Sequence, residues 1–348
     1  MNGLRGKKRP VIAVVATVLN EGESIRRLLE SLVAQTCQPD EIVIVDGGSR
    51  DQTVAILHEY TDRLPLRVLV APGANISAGR NRAIEAARAD VIAVTDAGVV
   101  LPPEWLAQIV RPLLEDPAIE VSAGFFRPDV HTVFEAAMGA TVLPAVDEID
   151  PATFLPSSRS VAFRKSAWEA VGGYPEWLDY CEDLIFDLRL KAISAPFAFA
   201  PEAVVLFRPR RSLRAFFWQY YYYARGDGKA DLWRKRHAIR YGTYFLAAPL
   251  IALLGWRAHR AFWLLFAIGA FVYLRAPYRR LGAVLAAAVR AGRFRLSLTR
   301  WLYAIALVPL IRVVGDFAKM AGYPAGWAWR LRNRPPDWRR VEPPRREP

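Results

Sequence analysis

Two cysteines, Cys37 and Cys181, are all that the 348 residues contain, and they stand far apart in the chain. That excludes a disulfide framework and a cysteine zinc site, and makes a reducing compartment the default. The four histidines, His58, His131, His237 and His259, show no metal-ligand spacing and read as surface or interfacial residues. No Gly-x-Gly-x-x-Gly follows the first strand-like run, and no Gly-x-x-x-x-Gly-Lys-Ser/Thr occurs anywhere, which argues against ordinary dinucleotide binding and P-loop chemistry. The basic start MNGLRGKKRP leads straight into VIAVVATV, a run too short for the apolar core of a signal peptide. Residues 1–9 therefore read as a basic tail.

Acids are scarce in one half only. Residues 208–348 hold 28 Lys and Arg against 6 Asp and Glu, a balance of +22, whereas residues 1–207 hold 19 against 28, or −9; together they make the formal +13. The basic half also carries apolar runs such as FLAAPLIALLGW, so its charge matches an anionic membrane surface better than nucleic acid.

From Val11 to Ala118 the pattern alternates strand, turn and helix. VIAVVATV, EIVIVDGGS, LRVLVAP and DVIAVTDAG are short apolar runs suited to buried parallel strands. Between them, LNEGESIRRLLESLVAQ, DQTVAILHEYTD and ISAGRNRAIEAAR have helical spacing, the second capped by Ser49 or Asp51, and a further helix is expected through Trp105 to Leu114. Such alternation implies right-handed crossovers and a mostly parallel α/β sheet flanked by helices. Ligands of open α/β sheets bind beyond the carboxyl ends of the strands. The candidate contacts there are Thr17 and Glu21, Asp46, and Asp96, with Arg80 and Asn81 on the third helix. Asp96 also has a bland reading, as a turn residue before Pro102 and Pro103.

The segments VIAVVATVLNEGESIRRLLESLVAQ, IVIVDGGSRDQT, SAGRNRAI and VTDAG followed by LPPEWL together resemble the GT-A domain of family 2 glycosyltransferases. The resemblance covers roughly residues 10–230. It implies a nucleotide-sugar donor, first of all a UDP-sugar, with Asp46, Thr17 and Glu21 around the nucleoside. It further implies a divalent ion, Mg²⁺ or Mn²⁺, on the diphosphate, held by an Asp-x-Asp motif. Asp96-Ala97-Gly98 keeps only the first acid of that motif. One carboxylate plus substrate phosphates and waters is chemically sufficient for such an ion.

FLPSSRSVAFRKSAWEAVGGYPEWLDYCEDLIFDLRL resembles the acceptor half of the same family, in which an acidic pair at a helix start carries the base. Here the pair is Glu182-Asp183, which implies Asp183 as the general base of an inverting transfer and Glu182 as its supporting neighbour. A helix N-terminus favours carboxylates whether or not they are catalytic. Ser157, Ser158 and Arg159 are candidate contacts to diphosphate or acceptor, and Trp177 shapes the acceptor pocket or belongs to the core.

RPRRSLRAFFWQYYYYARGDGKADLWRKRH mixes basic and aromatic residues. Such a stretch stacks on single-stranded nucleic acid or lies at a membrane interface, and the apolar runs after it favour the membrane. Those runs, Thr243 to Trp256, Ala261 to Leu274 and Trp301 to Val314, are each shorter than the roughly 20 residues of a clean span. They fit a tight hairpin, tilted spans with snorkelling arginines, or helices lying in the interface; for the third run the Arg-rich tail after it favours an interfacial or re-entrant segment. The connection from Arg275 to Arg300 has seven arginines and no acid, which places it on the cytoplasmic side.

The expected organisation is a tail over 1–9, a catalytic domain over 10–207, interfacial helices over 208–240, membrane-embedded helices over 241–318 and an Arg/Pro-rich tail over 319–348. The expected function is an inverting glycosyltransferase at the inner membrane, its catalytic domain cytoplasmic, with a lipid-linked or glycan acceptor and no nucleic-acid partner. The rival, prompted by Gly98, is a membrane-anchored nucleotide-sugar or glycan-binding protein without transferase activity.

Overall fold

A computed structural model describes residues 9–340 other than Ser194. Most of the basic tail read over 1–9, and the last eight residues, lie outside that range. The chain divides into two compact units: 1–127, 149–207 and 337–348 form the first, and 128–148 and 208–336 the second.

The first unit is built on an eight-stranded sheet in the order β3-β2-β1-β4-β7-β6-β8-β5. Its strands are β1 (Ile12–Val18), β2 (Glu41–Asp46), β3 (Leu66–Val70), β4 (Val91–Val94), β5 (Val99–Val100), β6 (Val121–Pro128), β7 (Val161–Arg164) and β8 (Phe197–Phe207). β3, β2, β1 and β4 run parallel, as the strand-helix alternation requires. β7 pairs antiparallel with β4, β6 with β7, and β5 with β8, so the sheet is mixed. The helices of this unit are α1 (Ile25–Val33), α2 (Thr53–His58), α3 (Ile76–Ala86), α4 (Trp105–Glu115), α6 (Lys165–Ala170) and α7 (Glu182–Ala192), α5 lying in the other unit.

Alternation along β1 sorts its side chains between two cores. Ile12, Val14, Ala16 and Val18 join α1, α2 and α4 on one face. Ala13 and Val15 join α3, α6 and α7 on the other. A strand buried on both faces must read as a continuous apolar run, which is what VIAVVATV is. Helix α3 lies so close to β1 that a Cβ on Gly79 would stand 2.6 Å from Thr17 Cγ2. Ser49 does not cap α2; its backbone N–H donates to Asp46 Oδ1 at 2.7 Å, and Asp51 Oδ1 accepts from the Thr53 N–H at the helix start.

The second unit holds α5 (Val133–Val142), α8 (Leu213–Lys229), α9 (Arg234–Gly242), α10 (Ala248–Arg257), α11 (Trp263–Arg290) and α12 (Leu298–Asn333). A π-helical stretch over Thr243–Ala247 joins α9 to α10. Three helical segments, Arg234–Arg257, Arg260–Arg290 and Leu298–Asn333, are long and apolar enough to cross a membrane. They exceed the apolar runs because the helical backbone continues through flanking Arg residues, which a helix tolerates about as well as Leu. The tail expected from 319 is, up to Asn333, the second half of α12. Its glycines explain why: a Cβ on Gly322 or Gly326 would collide with the carbonyl oxygens of Tyr221 and Arg225, so α8 and α12 pack backbone to backbone. His237 is not a surface residue; it is 3% exposed, stacked on Tyr323 and bonded to Asp227.

Candidate active site

The carboxyl ends of the parallel strands and the start of α7 carry the polar groups. Asp96 follows β4 by two residues. Glu182 and Asp183 open α7 directly after Cys181, whose left-handed backbone (φ 66°) turns the chain into the helix. Arg80 reaches both from α3. Its guanidinium is 2% exposed and donates through Nη1 to Glu182 Oε1 and through Nη2 to Asp96 Oδ1, each at 2.7 Å. It also lies 5.3 Å over the ring of Tyr174.

The circuit continues on the other side of Asp96. Arg159 Nε stands 3.5 Å from Asp96 Oδ2, and Arg159 Nη1 donates to Ser157 Oγ at 3.1 Å. Ser157 Oγ in turn lies 3.4 Å from Asp183 Oδ2. Asp183, Ser157, Arg159, Asp96, Arg80 and Glu182 thus form a ring closed by the adjacency of 182 and 183. Two guanidiniums alternate with three carboxylates, and the short contacts are those of Arg80.

Burial sets the protonation of this ring. Burial, then the charge of Asp183, pushes the Glu182 carboxyl up to about 7 against the pull of Arg80. Burial would raise Asp96 as well, but Arg80 and then Arg159 outweigh it and hold its carboxyl below the usual range. Burial, helped by Asp183, puts Asp187 well above it. One turn after Asp183, Asp187 is 2% exposed, and its Oδ2 finds no hydrogen-bond partner among the described residues.

The remaining sequence candidates have other surroundings. Asp46 is fully buried and bound into its own turn, its Oδ1 accepting from the N–H groups of Gly48 and Ser49 at 2.8 and 2.7 Å. Thr17, half-buried, packs on Gly79 beside it in register, since Val18 pairs with Asp46. Glu21 Oε2 accepts from Ser24 Oγ at 2.8 Å, and its backbone N–H donates to Thr53 Oγ1. Ser158 is 2% exposed and shares a hydrogen bond with the Tyr174 hydroxyl, so it points inward. Trp177 is half-buried in the loop that precedes α7.

That loop is held by α3. Asn75 Nδ2 donates to the Glu176 carbonyl at 2.6 Å, and Asn81 Nδ2 to the Tyr174 carbonyl at 2.9 Å, while Asn81 Oδ1 accepts from the Tyr174 N–H. Adjacent residues Arg80 and Asn81 therefore divide the work: one aligns the carboxylates and the other fixes the segment that leads to them. Arg80's bridging and the buried Asp187 were the features of the candidate site that the sequence hid; the trace of them was an Arg-Asn pair in SAGRNRAI and an acid four residues after Asp183.

Among the described residues, no three His, Cys, Asp or Glu side chains group as a metal site. Asp96 has an oxygen weakly engaged enough to meet an ion: Oδ1 is taken by Arg80, but Oδ2 meets Arg159 at 3.5 Å, beyond a good hydrogen bond. A hard divalent ion completed by diphosphate oxygens and water fits one such ligand.

The profile of Glycosyl transferase family 2 matches residues 13–157. The chain is 34% identical over 106 residues to the uncharacterized glycosyltransferase YibD of Escherichia coli, covering 30% of this chain and 31% of that protein. It is 29% identical over 301 residues to the succinoglycan biosynthesis protein ExoA of Rhizobium meliloti, covering 78% of this chain and 89% of that one. In fold it is similar to the mannosyltransferase PcManGT of Pyrobaculum calidifontis, solved with GDP-Man and Mn²⁺, at a TM-score of 0.54 and 21% identity over 93% of this chain and 87% of that one. With its parallel strand ends, the carboxylates gathered there and a matching profile over residues 13–157, the chain is similar to family 2 glycosyltransferases over that stretch, and its mixed, helix-flanked sheet has a GT-A-like fold.

Proposed function

We propose that the protein transfers a sugar, with inversion, from a nucleotide-sugar to the hydroxyl of a lipid-linked or membrane-delivered acceptor in surface polysaccharide or glycolipid assembly. The observation that carries this reading is the ring that puts Asp183 within one serine and one arginine of Asp96. Asp183 takes the acceptor hydroxyl proton as that oxygen attacks the anomeric carbon. The bond from that carbon to the diphosphate oxygen breaks, and the nucleoside diphosphate leaves with the electron pair. Arg159 faces the diphosphate, and Arg80 keeps Asp96 and Glu182 aligned while its own charge is spent on them. Asp96 Oδ2 would hold Mg²⁺ or Mn²⁺, which when bound adds positive charge to the leaving diphosphate. Asp46, Thr17 and Glu21 border the nucleoside.

A domain of this kind attached to apolar helices suits a membrane-borne acceptor, and the seven arginines of 275–300, on the second half of α11, the turn after it and the start of α12, support a cytoplasmic face of the inner membrane for the catalytic unit. The test is calorimetric binding of UDP-, GDP- and dTDP-sugars to detergent-purified protein with Mn²⁺, Mg²⁺ or EDTA. One nucleotide class should bind, more tightly with metal, and Asp96→Asn should remove the metal's contribution. Absence of binding by folded protein would leave the transferase reading without a donor.

A further inference from the structure

The second unit buries a polar layer that the transfer reaction does not use. Asp316, midway along α12, accepts from Arg240 Nε at 2.8 Å, from the Tyr273 hydroxyl at 2.5 Å and from the Tyr244 hydroxyl at 3.2 Å. Its charge is thereby matched by one arginine and its lone pairs are occupied. Two further cations stand on the same face of the helix at one-turn spacings, Arg312 and Lys319. The Arg312 guanidinium lies 4.3 Å over the Tyr273 ring and donates to the Tyr273 carbonyl, and its Nε is buried with no hydrogen-bond partner among the described residues. Lys319 lies 4.9 Å over the Tyr220 ring. Arg240 pairs with Asp316 and His237 with Asp227, and among the described residues neither Arg312 nor Lys319 stands in an ion-pair contact. The layer carries more cation than anion, in segments apolar enough to enter a bilayer.

Surplus positive charge in a partly buried layer is costly unless an anion neutralises it. We infer that Arg312 and Lys319 bind the phosphate or diphosphate head of a membrane lipid, the lipid carrier of the acceptor in the reading above, on which that assignment of source rests. The surroundings specify an amphiphile and not a free ion. Phe245, Leu246, Phe271 and Val272, next to the tyrosines of the layer, are 57–70% exposed, as is half of Phe317 beside Asp316. They offer an apolar track for a hydrocarbon chain. From Tyr244 to the hairpin tip at Arg257 is 13 residues, about 20 Å of helix. A hairpin of that reach immersed in a core of roughly 30 Å leaves the layer where headgroups meet hydrocarbon.

The test uses the full chain in detergent and in nanodiscs, with farnesyl diphosphate as probe and farnesol and inorganic pyrophosphate as controls. Farnesyl diphosphate should bind more tightly than either control, and Arg312→Gln with Lys319→Gln should weaken it at least tenfold. The charge-preserving pair Arg312→Lys with Lys319→Arg should keep it, which separates lost charge from lost folding. Unchanged binding in the glutamine variants, or equal binding of farnesol, would overturn the inference. Nanodiscs rich in phosphatidylglycerol distinguish the two sources. Failure to displace the probe supports a prenyl-type carrier, and full displacement rejects the carrier and leaves a bulk phospholipid. Nucleotide-sugar binding, measured on the same variants, should stay within twofold; its loss in the wild type would count against the transferase reading alone.

Discussion

Removing the charge of Arg80 is the sharpest perturbation of the catalytic unit. Arg80→Met keeps most of the buried volume but strips both 2.7 Å partners, Asp96 and Glu182, of their cation in a setting where the guanidinium is 2% exposed. Breaking a buried ion pair by deleting one partner costs about 3–5 kcal/mol. For a unit of this size that corresponds to a fall in Tm of roughly 6–20 °C. The cost depends on pH with a defined sign. Glu182 already has its carboxyl raised to about 7 in the folded protein, so the native state binds more protons than the unfolded chain between its ordinary value and pH 7, and wild-type stability declines as pH rises through that window. Without Arg80 the carboxyl rises further and can escape the penalty only by protonating. The deficit of Arg80→Met should therefore be larger at pH 8 than at pH 5.5, and Glu182→Gln in the same background should recover part of it. Thermal unfolding in detergent at the two pH values reads this out. A shift below 2 °C, or one independent of pH, would refute the idea that Arg80 compensates buried charge.

Two other outcomes follow from the packing. Asp187, raised by burial and lacking a partner for Oδ2, destabilises the fold increasingly as pH climbs above the ordinary carboxylate range, so Asp187→Asn should be more stable than wild type at pH 8 and lose that advantage in acid, as followed by Tm. Gly326→Val would place side-chain atoms against the Arg225 carbonyl and force α8 from α12; overpacking of this kind costs about 1–3 kcal/mol or more, and should appear as a lower Tm and faster proteolysis within 208–336, with donor binding as the control.

Much of the architecture was legible because local rules decide it. β1 to β4 and α1 to α4 follow from apolar runs alternating with helical spacing; Asp96 was picked out as a strand end, and Glu182 and Asp183 through the resemblance to family 2 glycosyltransferases. What joins them was hidden: Arg80 and Glu182 are 102 residues apart, and no periodicity says that a side chain of α3 will bridge β4 and α7. Ser158 read like Ser157 as a candidate contact to diphosphate or acceptor, yet its hydroxyl turns into the core toward Tyr174 while that of Ser157 joins the ring, a difference of backbone direction that composition does not carry. The 128–148 excursion into the second unit was missed as well. Its helix is announced by a Thr132–Glu135 capping box, which marks where a helix begins but not what it packs against. In the basic half, hydropathy located the apolar runs but not the helix ends, because Arg240, Arg312 and Lys319 sit inside helices whose partners, among them Asp316 and the tyrosines, become neighbours only on packing.

The central claim is that Asp183 is the base of a glycosyl transfer on this ring. Transfer of label from the nucleotide-sugar that binds best to a membrane lipid extract, compared between wild type and Asp183→Asn, tests it most directly. The account predicts that the variant loses at least a hundredfold in turnover, in line with the roughly 10²–10⁴ ascribed to general base catalysis, while its donor affinity stays within a few-fold of wild type. Turnover within a few-fold of wild type at unchanged donor affinity would contradict it.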